Sequence, residues 1–172
     1  MEDLVLPDTE SGSGFEPTRL RQFTIFLENR VGRLQHLVRA LEHGPYDILT
    51  IAVEESADSA LVRLICKDPD QCRDNLKADG FAYTESEVLA VELPLRVKLP
   101  LMAVTAALLT AEINIHYMYP LLQCPRGPAL ILYVEDPTLA AQLLVRKRFT
   151  LLGPSDFGGP DIGPTTIDPD LN

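Results

Sequence analysis

Apolar and polar positions alternate with a period of two at the start of the patterned part of the chain, where Phe23, Ile25 and Leu27 interleave with Gln22, Thr24 and Glu28. That period suits a strand with one buried face. It then changes: Leu34, Leu37, Val38 and Leu41 recur at three- and four-residue spacing opposite Gln35, His36 and Arg39, the stripe of an amphipathic helix. His43-Gly44-Pro45 ends that helix with a cation-capable side chain, a C-cap candidate and a breaker. Leu49, Ile51 and Val53 alternate with Thr50, Ala52 and Glu54 in a second strand. Ser56 to Ser59 turn the chain and Ala60 to Cys66 return as a third strand, so the pair reads as a hairpin. Asp68-Pro69 starts a second helix, with Asp as N-cap and Pro at the position whose missing N–H costs nothing. Cys72 and Leu76 mark its inner face, Gly80 stops it, and Phe81-Ala82-Tyr83 opens a fourth strand.

This β-α-β-β-α-β order is the split, ferredoxin-like arrangement, and it then begins again. Val88 to Leu93 is a strand and Leu101 to Ala111 a helix with Leu101, Val104, Leu108 and Ala111 on one side. Asn114 to Leu122 and Ala129 to Val134 are strands joined through Cys124-Pro125-Arg126-Gly127. Asp136-Pro137 starts a helix with Leu139, Ala140, Leu143 and Leu144 as its stripe, and Phe149 opens the last strand. Asp68 and Asp136 are 68 positions apart, as are Phe81 and Phe149, the punctuation of an internal repeat. The expected fold is α+β: two tandem ferredoxin-like units, their antiparallel sheets packed side by side and their helices covering one face. The domain boundaries follow as a disordered leader 1–20, a first unit 21–87, a second unit 88–153 and a disordered tail 154–172, both ends being rich in Pro, Gly and acids and too poor in apolar groups to offset ordering entropy.

Charge changes the picture little. The formal net charge is −10, but residues 1–19 hold five acids and one base and residues 155–172 four acids and no base, so the patterned middle is nearly balanced. No basic stripe recommends nucleic acid. No apolar run approaches the roughly 20 residues of a membrane span, and the acidic N-terminus broken by Pro7 is no signal peptide. Cys66, Cys72 and Cys124 form no C-x-x-C pair and stand at no metal spacing with histidine, which fits inert thiols in a reducing cytoplasm and calls for no cofactor and no metal.

The candidate chemistry lies at Glu28-Asn29-Arg30-Val31-Gly32, between the first strand and first helix. Asn29 can hydrogen-bond its own backbone and Gly32 can take positive φ. The following helix aims free N–H groups and its positive dipole end at that turn, which favours a carboxylate or another anion there.

With this turn and the repeat, residues 21 to 153 resemble a tandem pair of ACT domains, whose most specific local feature is an Asn-x-x-Gly turn in this place. Asn29-Arg30-Val31-Gly32-Arg33-Leu34 matches it and is especially like the serine-sensing regulatory domains of phosphoglycerate dehydrogenases. The resemblance implies a non-catalytic regulatory protein that binds an amino acid or similar small molecule between paired domains and signals allosterically. It implies ligand contacts at Asn29, the backbone around Val31, Gly32 and Arg33, and a second position before the second strand, here Asp47 and in the second half Asn114. The exposed edges and faces of small sheets need covering, which points to a homodimer, and such a protein either acts on a separate protein, for example a metabolic enzyme, or buffers or reports its ligand alone. Two departures stand out: the serine-sensing turn has a His where Leu27 stands, and the second-half turn, Pro94 to Pro100, places Val97 at the Asn position and Pro100 at the Gly position. Proline there removes a donor and fixes φ, so only the first half is expected to bind.

Each candidate has a plainer reading. Tight strand-to-helix turns favour Asn and Gly in any case; Arg30 and Arg33, which could pair with a carboxylate, suit a solvated face; Asp47 suits a strand start. In Asn114-Ile115-His116-Tyr117-Met118-Tyr119-Pro120, Tyr117 and Tyr119 share one side of a strand and His116 and Met118 the other, which suits one pair facing the core and the other a partner, or else a plain core strand. An enzyme reading lacks a nucleophile, a carboxylate pair or a phosphate-cradling loop. A ligand-free scaffold that uses paired sheets to oligomerise is the main alternative.

Overall fold

The computed structural model describes residues 18–28, 30–44, 47–55 and 59–158. The first unit comprises β1 (Leu20–Glu28), α1 (Arg33–Glu42), β2 (Ile48–Glu55), β3 (Ser59–Cys66) and α2 (Pro69–Ala78), and β4 (Ala82–Glu92) follows. The second comprises α3 (Pro100–Leu109), β5 (Ile115–Leu121), β6 (Ala129–Val134), α4 (Pro137–Arg146) and β7 (Leu151–Leu152). The fourth strand of the first unit and the first strand of the second are one strand. Residues 82–88 of β4 pair antiparallel with β1, while Leu89 to Glu92 pair with β6, and Ala90 and Val91 also pair with β7. The boundary expected at residues 87 and 88 therefore falls inside a continuous strand, and the two sheets join edge to edge in the order β2-β3-β1-β4-β6-β5.

The helices cover one face of this joint sheet. Phe23, Ile25, Leu27, Val62 and Leu64 meet Leu37, Leu41, Cys72 and Leu76 beneath α1 and α2. Leu89, Val91, Leu130 and Leu132 meet Val104, Leu108, Ala140 and Leu144 beneath α3 and α4. On the other face the sheet curls until its outermost strands touch, with Thr50 Oγ1 donating to the Pro120 carbonyl at 2.8 Å and Gln123 N–H to the Leu49 carbonyl at 2.9 Å. That closure buries a third cluster, including Leu20, Leu49, Ile65, Val88, Tyr119 and Ile131.

The repeat extends to backbone detail. Asp68 and Asp136 cap α2 and α4, accepting from Gln71 N–H at 3.1 Å and Leu139 N–H at 2.9 Å. After those helices Phe81 N–H donates to the Leu76 carbonyl and Phe149 N–H to Leu144. Both second strands begin with a bulge, between Ile48 and Thr50 and between Ile115 and Tyr117. The spacing is not constant, however. Leu64 pairs with Phe23 and Leu132 with Leu89, so the first strands match at a shorter offset than the third strands, and the N-caps of the first helices are Gly32 and Leu99. Leu99, rather than Pro100, thus stands opposite Gly32. A constant offset missed this because the second turn and second hairpin are each one residue longer.

Other details depart from the sequence reading. Gln22, expected on the polar side of β1, is fully buried because the curled sheet covers that side. Leu101 and Leu139 are exposed, whereas Ala107 and Ala141 are buried; α3 is apolar all round, so its periodicity did not mark an inner face. Residues 18–20 and 154–158 belong to the described fold: Leu20 opens β1, and Pro154–Phe157 form a 3-10 turn whose Phe157 packs in the central cluster. The remaining expected leader and tail, 1–17 and 159–172, lie outside the described residues.

Candidate functional site

The first strand-to-helix turn is built on Gly32, which takes φ 89° as N-cap of α1. Arg33 N–H donates to the Arg30 carbonyl at 3.2 Å and His36 N–H to the Gly32 carbonyl at 2.9 Å. Among the described residues the N-terminus of α1, like that of α3, has no side-chain cap and no acid in its first turn, whereas α2 and α4 start on aspartates. Its positive end is therefore open to an external anion. Val31 is fully exposed at the tip and Leu34 is exposed on the first helical turn. Arg30 lies 3.4 Å from the Glu28 carboxylate, and Arg33 Nε is buried with no hydrogen-bond partner among the described residues. Asn29 lies outside the described residues.

Asp47 and Asn114 are not brought to this turn. Asp47 precedes β2, whose Ile48 pairs with Cys66, whereas the turn follows Glu28, which pairs with Ser59 at the opposite end of β3. The length of β3 separates them, roughly 25 Å. Both residues are exposed and occupy equivalent places: the Asp47 carbonyl accepts from Lys67 N–H at 2.9 Å and the Asn114 carbonyl from Glu135 N–H at 3.0 Å. The Asp47 carboxylate also sits 3.6 Å from the Lys67 ammonium.

The second turn lies beyond Glu92, at the opposite end of β4 from the first, on the order of 35 Å away. Here Val97 N–H closes a turn onto the Pro94 carbonyl at 3.1 Å, and Leu99 caps α3 with no side-chain bond. Beside it opens a cleft of about 480 Å³ between the β4–α3 loop, the β5–β6 hairpin tip and the α4–β7 turn. Arg96, Arg126, Lys147 and Arg148 line it, with Leu95, Val97, Ala103 and Phe149 as its apolar surface. Sequence reasoning missed this cleft; the only signal was the basic run Arg146-Lys147-Arg148 in an otherwise acidic chain.

The Tyr117–Tyr119 side of β5 faces inward. Tyr117 and Tyr119 both hydrogen-bond the Gln22 amide at 2.7 Å, and the Arg63 guanidinium lies 3.9 Å over the Tyr117 ring. Burial raises the Tyr119 phenol pKa above its ordinary value, so the group stays protonated and donates. His116 and Met118 are exposed. This cluster ties the two units together, with the Gln22 amide and both phenols hydrogen-bonded and Arg63 Nε without a partner among the described residues, which is structural chemistry. Cys66 and Cys72 touch, Sγ to Sγ 3.0 Å, and the contact together with burial pushes the Cys66 thiol up, so Cys66 is not an activated nucleophile. No group of three or more His, Cys, Asp or Glu side chains suited to a metal exists among the described residues, and no helix there is long and apolar enough to cross a membrane.

Comparison with known proteins adds the following. The family model described as an ACT domain pair matches residues 18–157. Protein BT0572 from Bacteroides thetaiotaomicron superimposes with a TM-score of 0.73 at 28% identity, covering 81% of this chain and 96% of its own. The regulatory subunit of aspartate kinase from Thermus thermophilus, in its ligand-free form, superimposes with a TM-score of 0.51 at 12% identity, covering 76% and 93%. That from Thermus flavus does so with a TM-score of 0.50 at 13% identity, covering 76% and 90%. No curated protein matches the chain.

Proposed function

The chain belongs to the family of ACT domain pairs, and from that membership we propose that it is a regulatory rather than catalytic protein whose first unit binds an amino acid or similar small molecule. The observation that carries this reading is the start of α1. The helices α2 and α4 start on an aspartate, whereas α1 and α3 have no side-chain cap among the described residues; α3 begins with Pro100, which lacks an N–H, while α1 follows the Asn29-x-x-Gly32 turn with its amino-terminal N–H groups present. A ligand carboxylate would take that place, with Asn29, Arg30 and Arg33 around it and Leu34 beside its side chain.

The separation of Asp47 and Asn114 from this turn makes a homodimer part of the proposal. Neither residue reaches the Asn29 turn of its own copy, so in this proposal a second copy presents it and the complete site lies between subunits. A ligand bridging two copies favours one packing of the paired domains over others, and that differential affinity is what a partner enzyme would read. The fold likeness to two aspartate kinase regulatory subunits agrees with a regulatory role. The proposed setting is the cytoplasm, with no cofactor.

The test is a thermal-shift screen of the purified chain against the standard amino acids, with oligomer size recorded alongside, since a ligand that binds only the folded state raises its melting temperature. Asn29→Ala should reduce the shift for the active amino acid at least tenfold in apparent affinity while leaving the free protein folded. A stable dimer that responds to no amino acid would instead favour the scaffold reading.

A further inference from the structure

We propose that the cleft beside the second turn is a separate binding site for a small organic anion bearing two or more negative charges, a di- or tricarboxylate or a phosphate ester. The cleft runs against the charge of the whole molecule: the chain carries −10, yet Arg96, Arg126, Lys147 and Arg148 converge here against one lining carboxylate, Glu92. Glu92 is already engaged, accepting from Arg126 Nε at 3.1 Å. Arg126 also lies 3.2 Å from Asp156, whose other oxygen accepts from Gly153 N–H at 2.7 Å, so this guanidinium is held in place by the fold. Arg96, Lys147 and Arg148 have no carboxylate partner among the described residues. Three unpaired cations beside a fourth that is fixed form a field that a multivalent anion neutralises and a monovalent one does not.

The repeat supplies an internal control. Lys147 and Arg148 stand where the first unit has Asp79 and Gly80, at the same helix end and with the same backbone hydrogen bonds. Gly80 takes φ 71°, which suits glycine; Arg148 takes φ 65° with a full side chain. The second unit thus places a strained arginine where glycine is easier, at the mouth of a cleft whose volume, about 480 Å³, holds a small organic anion. Leu95, Val97 and Phe149 give its carbon skeleton an apolar surface. This site does not depend on the amino-acid reading of the first turn, from which it is separated by the length of β4.

The test uses the full chain and two probes, pyrophosphate and citrate, titrated at constant ionic strength with sodium chloride and acetate as controls. At least one probe should raise the melting temperature in a saturable way, and the controls should not. The double variant Lys147→Gln, Arg148→Gly should weaken that probe at least tenfold, while the free variant melts at the same temperature as the parent or higher, because the left-handed strain is relieved. Asn29→Ala should leave the probe's affinity unchanged, which separates this site from the first turn. An equal shift with chloride, no saturable shift with either probe, or unaltered affinity in the folded double variant would each overturn the proposal.

Discussion

In the first unit the strand-to-helix turn pivots on Gly32 at φ 89° and exposes Val31 at its tip; in the second, Leu99 takes that place at φ −132° and Pro100 starts the helix, and neither helix has a side-chain cap. The helix ends differ in the opposite sense, with Asp79 and Gly80 in the first unit against Lys147 and Arg148 in the second. Two copies of one fold have therefore kept the same caps, bulges and helix-stop hydrogen bonds while exchanging the chemistry at the end of the sheet where a ligand would dock. Packing fixes the former, because caps and bulges decide whether the elements form at all. The exposed loops are free to diverge, and in proteins generally loops are where binding residues concentrate.

The largest expected effects test whether the halves are energetically one body. Leu64 and Leu132 are fully buried at matching positions of β3 and β6. Leu64→Ala and Leu132→Ala should each cost about 2–5 kcal/mol and, because β4 serves both sheets, each should shift a single calorimetric transition. Two separated transitions would mean that the shared strand does not couple the units. Next in size is Tyr119→Phe, which removes the hydroxyl that donates to buried Gln22 Oε1 and should cost about 1–3 kcal/mol in chemical denaturation. A neutral result would show that water reaches this interface.

Much of this was legible in the chain. Asp68-Pro69 and Asp136-Pro137 announced two helices with a local mechanism, and the alternations of Phe23, Ile25 and Leu27 marked the inner face of β1 correctly. What escaped was anything set by curvature or by contact between the units. A polar Gln22 in a strand reads as solvent-facing unless the sheet is known to close over it, and Tyr117 and Tyr119 cannot be assigned to that closure from spacing. The candidate turn was legible as a short motif, whereas the cleft was not. Its walls come from three loops that are distant in sequence, and Arg126 is oriented by Glu92 and Asp156, neither a sequence neighbour.

Smaller effects sharpen the contrast between the helix ends. Gly80 has nothing within 4 Å of an added Cβ, so Gly80→Ala should cost about 1 kcal/mol through its backbone alone, and Arg148→Gly should return a gain of similar size. Equal and opposite shifts in the urea midpoint would verify the match; a loss from both would refute it. The smallest effect concerns Asp70, whose carboxylate accepts from Arg21 at 2.7 Å while Thr138 stands at the matching place in α4 and accepts from Arg19. The hydrogen bond from Arg21, with the nearby charges of Arg21 and Arg73, holds the Asp70 carboxyl below the usual carboxylate range. A depressed pKa contributes stability above the unfolded value that is lost as pH falls through the folded one. Asp70→Asn should therefore reduce stability slightly at pH 7 and flatten part of its decline in the acid range, below about pH 4. An unchanged acid limb would show the pair to be silent.

The central claim is tested most directly by titrating the full chain with individual amino acids in a calorimeter, in parallel with its Asn29→Ala variant. The account predicts saturable binding of one amino acid or a small related group, with at most one ligand per chain, two per symmetric dimer, and at least tenfold weaker binding by the variant. Binding that the variant leaves untouched would contradict the assignment of the first turn, and the absence of binding by any amino acid would contradict the regulatory reading itself.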